Sequence, residues 1–175
     1  MKRHWTATAA AIGIALLLVA AAVVAAGARI NTSPSVPVGL YWASRAPVEQ
    51  GAYVLVCPPP SGVFDAAHAR GYIGAGFCAG GYGRLMKRVA ATAGDAVSVS
   101  DEGVRVNGAL LPLSAPRTAD RAGRPMPQYV AEPHTLAADE VLLMGEGNPK
   151  SFDARYFGPI DRAQIVGVVR PIFTW

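Results

Sequence analysis

From Trp5 to Ala28 the chain carries no charged residue and consists mostly of Ala, Val, Leu and Ile. These 24 residues, taken as one helix, are long enough to cross roughly 30 Å of hydrocarbon. Beyond them the apolar runs are short and turn residues separate them. Leu40-Tyr41-Trp42 and Ala52–Cys57 predict strands, the second nearly continuous in apolar residues and ended by Pro58 to Pro60. Val63–Arg70 predicts a short helix with Ser61 as its cap, and Gly74–Gly83 a glycine-rich loop. Arg84–Thr92 predicts a strand, and Gly94-Asp95 the turn after it. Val97–Ser100 and Gly103–Val106 alternate around Asp101-Glu102 as a hairpin does, and Asn107-Gly108 marks another turn.

Ala115–Pro127 is polar, holds three prolines and lacks apolar periodicity, so it reads as a flexible loop. Glu140–Met144 reads as a short strand, Gly145–Gly158 as an irregular loop and Ile165–Ile172 as the last strand. No internal repeat is present. Many short strands with frequent turn chemistry predict a mainly β domain behind one N-terminal transmembrane helix.

Two parts follow: residues 1–28 as cytoplasmic tail and anchor, and residues 29–175 as one compact exported domain. Lys2 and Arg3, with His4 beside them, hold the N-terminus on the cytoplasmic side by the positive-inside bias. The alternative is a cleaved signal peptide ending near Ala26-Gly27-Ala28, although the apolar core of such peptides spans only about 7–15 residues. The net charge of +4 falls to +2 without Lys2 and Arg3, and no basic cluster dominates the rest, so nucleic acid is not an expected partner. An exported domain sits in an oxidising compartment, where Cys57 and Cys78 are expected to form one disulfide; the alternative is two separate buried thiols. His4, His68 and His134 are isolated and no metal-binding or phosphate-loop motif occurs, so neither metal nor cofactor is expected.

Three places carry candidate chemistry. Pro34 and Pro37 forbid helix across Asn31–Gly39, which reads as an extended, stiff loop. Ser35 within it has little backbone freedom, as suits a nucleophile, although a serine in such a loop is more often only a loop residue. It lies seven residues after Ala28, about 23 Å at 3.3 Å each, so it stays near the membrane surface. Strand alternation places Leu85, Lys87 and Val89 on one face and Met86 and Arg88 on the other. Burial of Lys87 on that apolar face would lower its pKa and make it a base; the alternative is a lysine whose head reaches water. In Gly145–Gly158, Ser151 could orient a nearby amine, and Asp153 and Arg155 could pair with each other or lock the loop to a neighbour; the alternative is a surface turn with an ordinary ion pair.

Ser35-Val-Pro-x-Gly39, the strand ending at Cys57, Met86-Lys-Arg-Val89 followed by Gly94-Asp95, Val106-Asn-Gly108 and Ser151-x-Asp153-x-Arg155-Tyr-Phe-Gly158 together resemble the bacterial type I signal peptidase family. The nearer resemblance is to its conjugative-transfer branch, the TraF-type peptidases, in which proline follows the nucleophile after one residue. The resemblance implies a signal-peptidase-like β-rich catalytic domain at the periplasmic face of the inner membrane. It implies Ser35 as nucleophile, Lys87 as general base, and Ser33 with the Ser35 N–H as oxyanion hole. It further implies Ser151 as hydrogen-bond partner of the lysine, and Asp153 and Arg155 as the supporting pair. The partners implied are membrane lipid and a pilin-like or signal-peptide-bearing precursor, which is cleaved or cyclised. Lys87 to Gly145 is too short for the large extra β-domain of some housekeeping members, and Gly145-Glu-Gly-Asn148 stands where Gly-Asp-Asn is commoner. The rival readings are a general signal peptidase, a non-catalytic membrane-tethered scaffold of a secretion machine, and a self-cleaving repressor. The N-terminal span and the absence of a helix-turn-helix pattern oppose the last.

Overall fold

The computed structural model describes Lys2 to Trp175, with side-chain surroundings described for Trp5 and from Thr8 onward. Lys2, Arg3 and His4, the charges expected to set orientation, therefore lie outside the residues with described side chains. Helix α1 (Lys2–Ala25) is solvent-facing throughout its described apolar length, as expected of a helix whose partner is lipid. It stops three residues short of the expected anchor end: the chain turns at Gly27, and Ala28 already belongs to a strand.

That strand, β1 (Ala28–Asn31), pairs antiparallel with β2 (Gly39–Ser44). The proline-containing segment between them is thus folded back, not extended. Pro34 and Pro37 exclude helix but not a turn, and Asn31 supplies the bonds that close it. Strand β3 (Tyr53–Val56), helix α2 (Gly62–Ala69) and strand β4 (Leu85–Ala91) follow as the patterns predict, with Ser61 at the N-cap position of α2 but making no side-chain cap bond. The disulfide Cys57–Cys78 closes the segment holding α2 and the glycine-rich loop.

Strands β5 (Ala96–Ser100), β6 (Gly103–Val106) and β7 (Ala109–Leu110) form the expected hairpins, and Asn107 and Gly108 both take positive φ in the tight turn. Strand β8 (Ala131–Thr135) joins β5 at the edge of this small sheet. Strand β9 (Glu140–Met144), the helical turn α3 (Ala154–Phe157), β10 (Ile160–Asp161) and β11 (Ile165–Thr174) complete the chain. Gly145–Gly158, expected to be irregular throughout, therefore contains one turn of helix, capped by Asp153.

Among the described residues there are two antiparallel sheets, of seven strands (β1-β2-β11-β3-β4-β9-β10) and four (β7-β6-β5-β8). Each has its own apolar core. Val54, Phe64, Val89 and Leu143 lie in the first, and Val97, Val104, Leu136 and Leu142 in the second. A third, small cluster of Val36, Tyr41 and Val169 sits beneath the β1–β2 turn.

Candidate active site

Lys87 lies on β4, opposite Val54 of β3, and on its inward face. Its side chain is 2% exposed, flanked by buried Val89 and half-buried Leu85 as the alternation predicts. Loss of hydration is the largest influence on the amine and brings its pKa down to about 8, with Asp153 opposing and Arg155 reinforcing the shift. A substantial share of Lys87 is therefore neutral near pH 8, and a neutral amine can accept a proton.

Strand β4 pairs with β9, so the chain leaving β9 passes beside Lys87. There Lys87 Nζ donates to Ser151 Oγ at 2.8 Å, and Ser151 Oγ donates to Ser35 Oγ at 3.2 Å. Ser151 thus stands between the lysine and Ser35 and joins them. Gly145 permits this approach: a Cβ there would collide with the Ser151 hydroxyl and Cβ. Ser33 Oγ lies 3.2 Å from Ser35 Oγ and accepts the Ser35 N–H at 3.4 Å, so the two donors expected to bind an oxyanion sit side by side.

Beneath Ser151, Asp153 and Arg155 form a buried two-pronged ion pair, with Nε and Nη2 each 2.7 Å from a carboxylate oxygen. The remaining guanidinium hydrogens reach the carbonyls of Leu113, Ala115, Asn148, Pro149 and Ser151 at 3.0–3.4 Å. Asp153 also accepts the Gly145 N–H at 2.8 Å. The pair therefore binds both ends of the Ser151 loop, and the chain leaving the small sheet, to one buried point. The two alternatives read from sequence, mutual pairing and locking to a neighbour, both occur.

Two residues at the site were not anticipated. Asn31 is 5% exposed; its Oδ1 accepts the Ser33 N–H at 3.1 Å, and its Nδ2 donates to the carbonyls of Ser33, Val36 and Pro37 at 2.8, 3.1 and 3.0 Å. It closes the turn that presents Ser35, supplying side-chain donors where two prolines have none. The signal was present: Asn two residues before Ser33 is an Asx-turn pattern. Glu146 is the second. Its backbone N–H donates to the Ser35 carbonyl at 2.5 Å, and its carboxylate is held by Tyr53 Oη at 2.5 Å and Arg88 Nη1 at 3.0 Å. Burial first, and then the bond to Glu146, raise the Tyr53 pKa, so the phenol stays protonated as a donor. Val36, next to Ser35, is 1% exposed against Tyr41 and Val169; burying such a side chain contributes about 1.5–3 kcal/mol. Ser35 is thereby fixed by a buried neighbour on one side and a bonded carbonyl on its own residue.

Replacing Asn31 with Ala removes the donors for three carbonyls. Unfolding stability is expected to fall by about 1–3 kcal/mol because those carbonyls lose their partner, read by denaturant titration of the full chain in detergent. A loss below about 0.5 kcal/mol would show that the turn is closed by other contacts.

The model of the family described as "Signal peptidase, peptidase S26" matches residues 1–175. A plasmid transfer protein TraF from Escherichia coli is 65% identical over 163 residues, 93% of this chain and 92% of that protein. A conjugal transfer protein TraF from Agrobacterium tumefaciens (strain 15955) is 36% identical over 173 residues, 96% of this chain and 93% of that one. The crystal structure of a signal peptidase I from Enterococcus faecalis V583 is a distant likeness, with 18% identity and a TM-score of 0.41 over 73% of this chain and 100% of that one. With the family model matched along its whole length and relatives of this identity, the chain belongs to the signal peptidase family, peptidase S26.

Proposed function

We propose that the protein is a membrane-anchored serine endopeptidase of conjugative transfer, with Ser35 as nucleophile and Lys87 as general base. Its substrate is a pilin-like or signal-peptide-bearing precursor, cleaved at the periplasmic face of the bacterial inner membrane. The observation that carries this reading is the buried Lys87 amine joined through Ser151 to Ser35. Helix α1 serves as the anchor, with the N-terminus cytoplasmic and residues 29–175 outside. The names of the relatives place their own role in plasmid and conjugal transfer, and this supports the same setting here.

In this mechanism Ser35 Oγ attacks the carbonyl carbon of a small residue in the precursor. Its proton passes to Lys87 Nζ along the path that the Ser151 hydroxyl completes, each hydroxyl rotating to give and accept in turn. The Ser33 hydroxyl and Ser35 N–H bind the oxyanion; loss of one such donor typically lowers kcat about 10²–10³-fold. Collapse of the intermediate breaks the peptide bond, and the Lys87 ammonium returns a proton to the leaving amine. Water then releases the acyl group, or the precursor's own N-terminal amine attacks it and closes a ring. Asp153 and Arg155 hold Ser151 and do not touch the reacting atoms.

The test is processing of co-expressed pilin precursors in membranes by wild type and Ser35→Ala, with product masses read by mass spectrometry. Processing by wild type alone supports the reading, and a product one water lighter than the linear peptide identifies cyclisation. Equal processing by both chains, or by neither across a panel of precursors, refutes it; the last outcome favours the non-catalytic scaffold.

A further inference from the structure

Ser35 and Lys87 open into a cleft of about 1140 Å³ whose lining is strongly cationic. Arg29, Arg84, Arg117, Arg121 and Lys150 line it, and none has a carboxylate within 4.0 Å among the described residues. Asp120, the acid in the lining, is already committed. One oxygen accepts from Tyr72 Oη and from Arg124 Nε at 2.6 Å, and the other from the N–H groups of Ala122 and Arg124 at 2.8 and 2.9 Å.

Those bonds also overturn the expectation that Ala115–Pro127 is a flexible loop. Arg70 Nη1 donates to the Pro125 carbonyl at 2.7 Å, Met126 N–H to the Thr118 carbonyl at 2.9 Å, and Arg117 N–H to Tyr156 Oη at 3.1 Å. The loop is braced from within by Asp120 and from outside by α2 and α3. Composition could not reveal this, because the bracing groups Arg70, Tyr72 and Tyr156 lie far away in sequence. Its exposed cations Arg117 and Arg121 stand on a built frame.

Like charges gathered unpaired around one cleft do not favour folding, and they do raise the local concentration of an anionic ligand. We infer that the braced 117–126 loop, together with Arg84 and Lys150, selects peptide substrates that carry a carboxylate close to the scissile bond. This rests on the peptidase reading above and adds a specificity to it. The carboxylate has two possible sources: an Asp or Glu side chain, or the C-terminus of a substrate cut near its end. Phospholipid headgroups are the competing anion. Arg29, on β1 four residues beyond the end of α1 and bonded to the carbonyls of Val24 and Ala28 at 2.8 and 2.7 Å, is the residue suited to them. The cations of the loop come instead from a frame built on the peptidase domain and share the lining with Ser35.

The test uses the full chain carrying Ser35→Ala in neutral detergent, and reads peptide binding by fluorescence anisotropy. Four peptides share a small-residue cleavage site and differ by Glu or Gln beside it and by a C-terminal acid or amide. Removing both carboxylates is expected to weaken binding about tenfold at about 50 mM salt, the difference shrinking severalfold at about 500 mM. The single replacements identify which carboxylate is read. Arg117→Glu with Arg121→Glu should turn the preference toward the Gln-bearing amide, and Arg117→Gln with Arg121→Gln should flatten it. Equal affinity for all four peptides, or an acidic preference that survives both pairs of substitutions, overturns the inference. So does a pair that alters binding to phosphatidylglycerol nanodiscs but not peptide preference, which assigns the patch to lipid. Because binding is read on a Ser35→Ala chain, the carboxylate preference holds or fails independently of cleavage. A wild type that cuts none of these peptides would sink the peptidase reading alone.

Discussion

Lys87→Ala is expected to abolish peptide cleavage, a loss of at least about 10²–10⁴ in kcat/KM, while the fold persists. The reason is the environment of the amine. At 2% exposure, with its pKa brought down to about 8 chiefly by burial, Lys87 is neutral in a substantial fraction near pH 8, where an exposed lysine is almost wholly protonated. Only the neutral form accepts a proton, so wild-type cleavage should rise with pH through about 8 and level off above it. Stability has a related sign. The folded chain holds the Lys87 proton less tightly than the unfolded chain. Between about 8 and the ordinary value of 10.5 the unfolded state therefore binds more protons, and stability rises with pH across that window. Below it the full penalty of burying the amine applies, on the order of 3 kcal/mol. Lys87→Met should accordingly be inactive and yet more stable than wild type at pH 7, by less than that figure because Ser151 loses its partner. A rate independent of pH from 7 to 9, or a Lys87→Ala chain that cleaves normally, would remove Lys87 from the mechanism.

The second large effect concerns Arg155. Arg155→Met is expected to lower unfolding stability by about 3–5 kcal/mol, because the Asp153 charge is left buried without its partner. The loss is compounded by the carbonyls of Leu113, Ala115, Pro149 and Ser151, which the guanidinium satisfies. Arg155→Lys keeps the charge but not the fork and should recover only part. Denaturant titration of the full chain in detergent, followed by circular dichroism, measures both. A loss below about 1 kcal/mol for Arg155→Met would mean that the loop is held otherwise. Cleavage should fall with stability in this variant, since Ser151 sits directly on the segment that Arg155 ties down.

These effects were unevenly visible in the chain. The inward face of β4 was legible because Leu85, Lys87 and Val89 alternate with Met86 and Arg88, and the β5–β6–β7 hairpins because their turns use Asp-Glu and Asn-Gly. Strand β8 was not legible: it is mostly exposed, carries Pro133 and lies at a sheet edge, where proline is tolerated but spoils the pattern. Nor was β1, whose four residues merge into the apolar run before it and pair with β2 only after the chain turns at Gly27. In the site, local pattern alone favoured bland readings of Ser35 and Lys87; the order of several short motifs made the case for them. The Ser35–Ser151 contact joins residues 116 positions apart, and no local pattern reports such a pairing. Asn31 and Glu146 were missed for a different reason. Each acts on the backbone of the Ser35 turn, Asn31 through its side chain and Glu146 through its own N–H, and a backbone donor leaves no mark in residue type.

The central claim is that Ser35 forms the acyl-enzyme. The most direct measurement is acid-quenched mass spectrometry of the full chain during turnover of a cleavable peptide, followed by peptide mapping of the adduct. The mechanism predicts an added acyl mass on the fragment containing Ser35, accumulating in wild type and absent from Ser35→Ala. An adduct on another residue, or cleavage by Ser35→Ala at the wild-type rate, would contradict it.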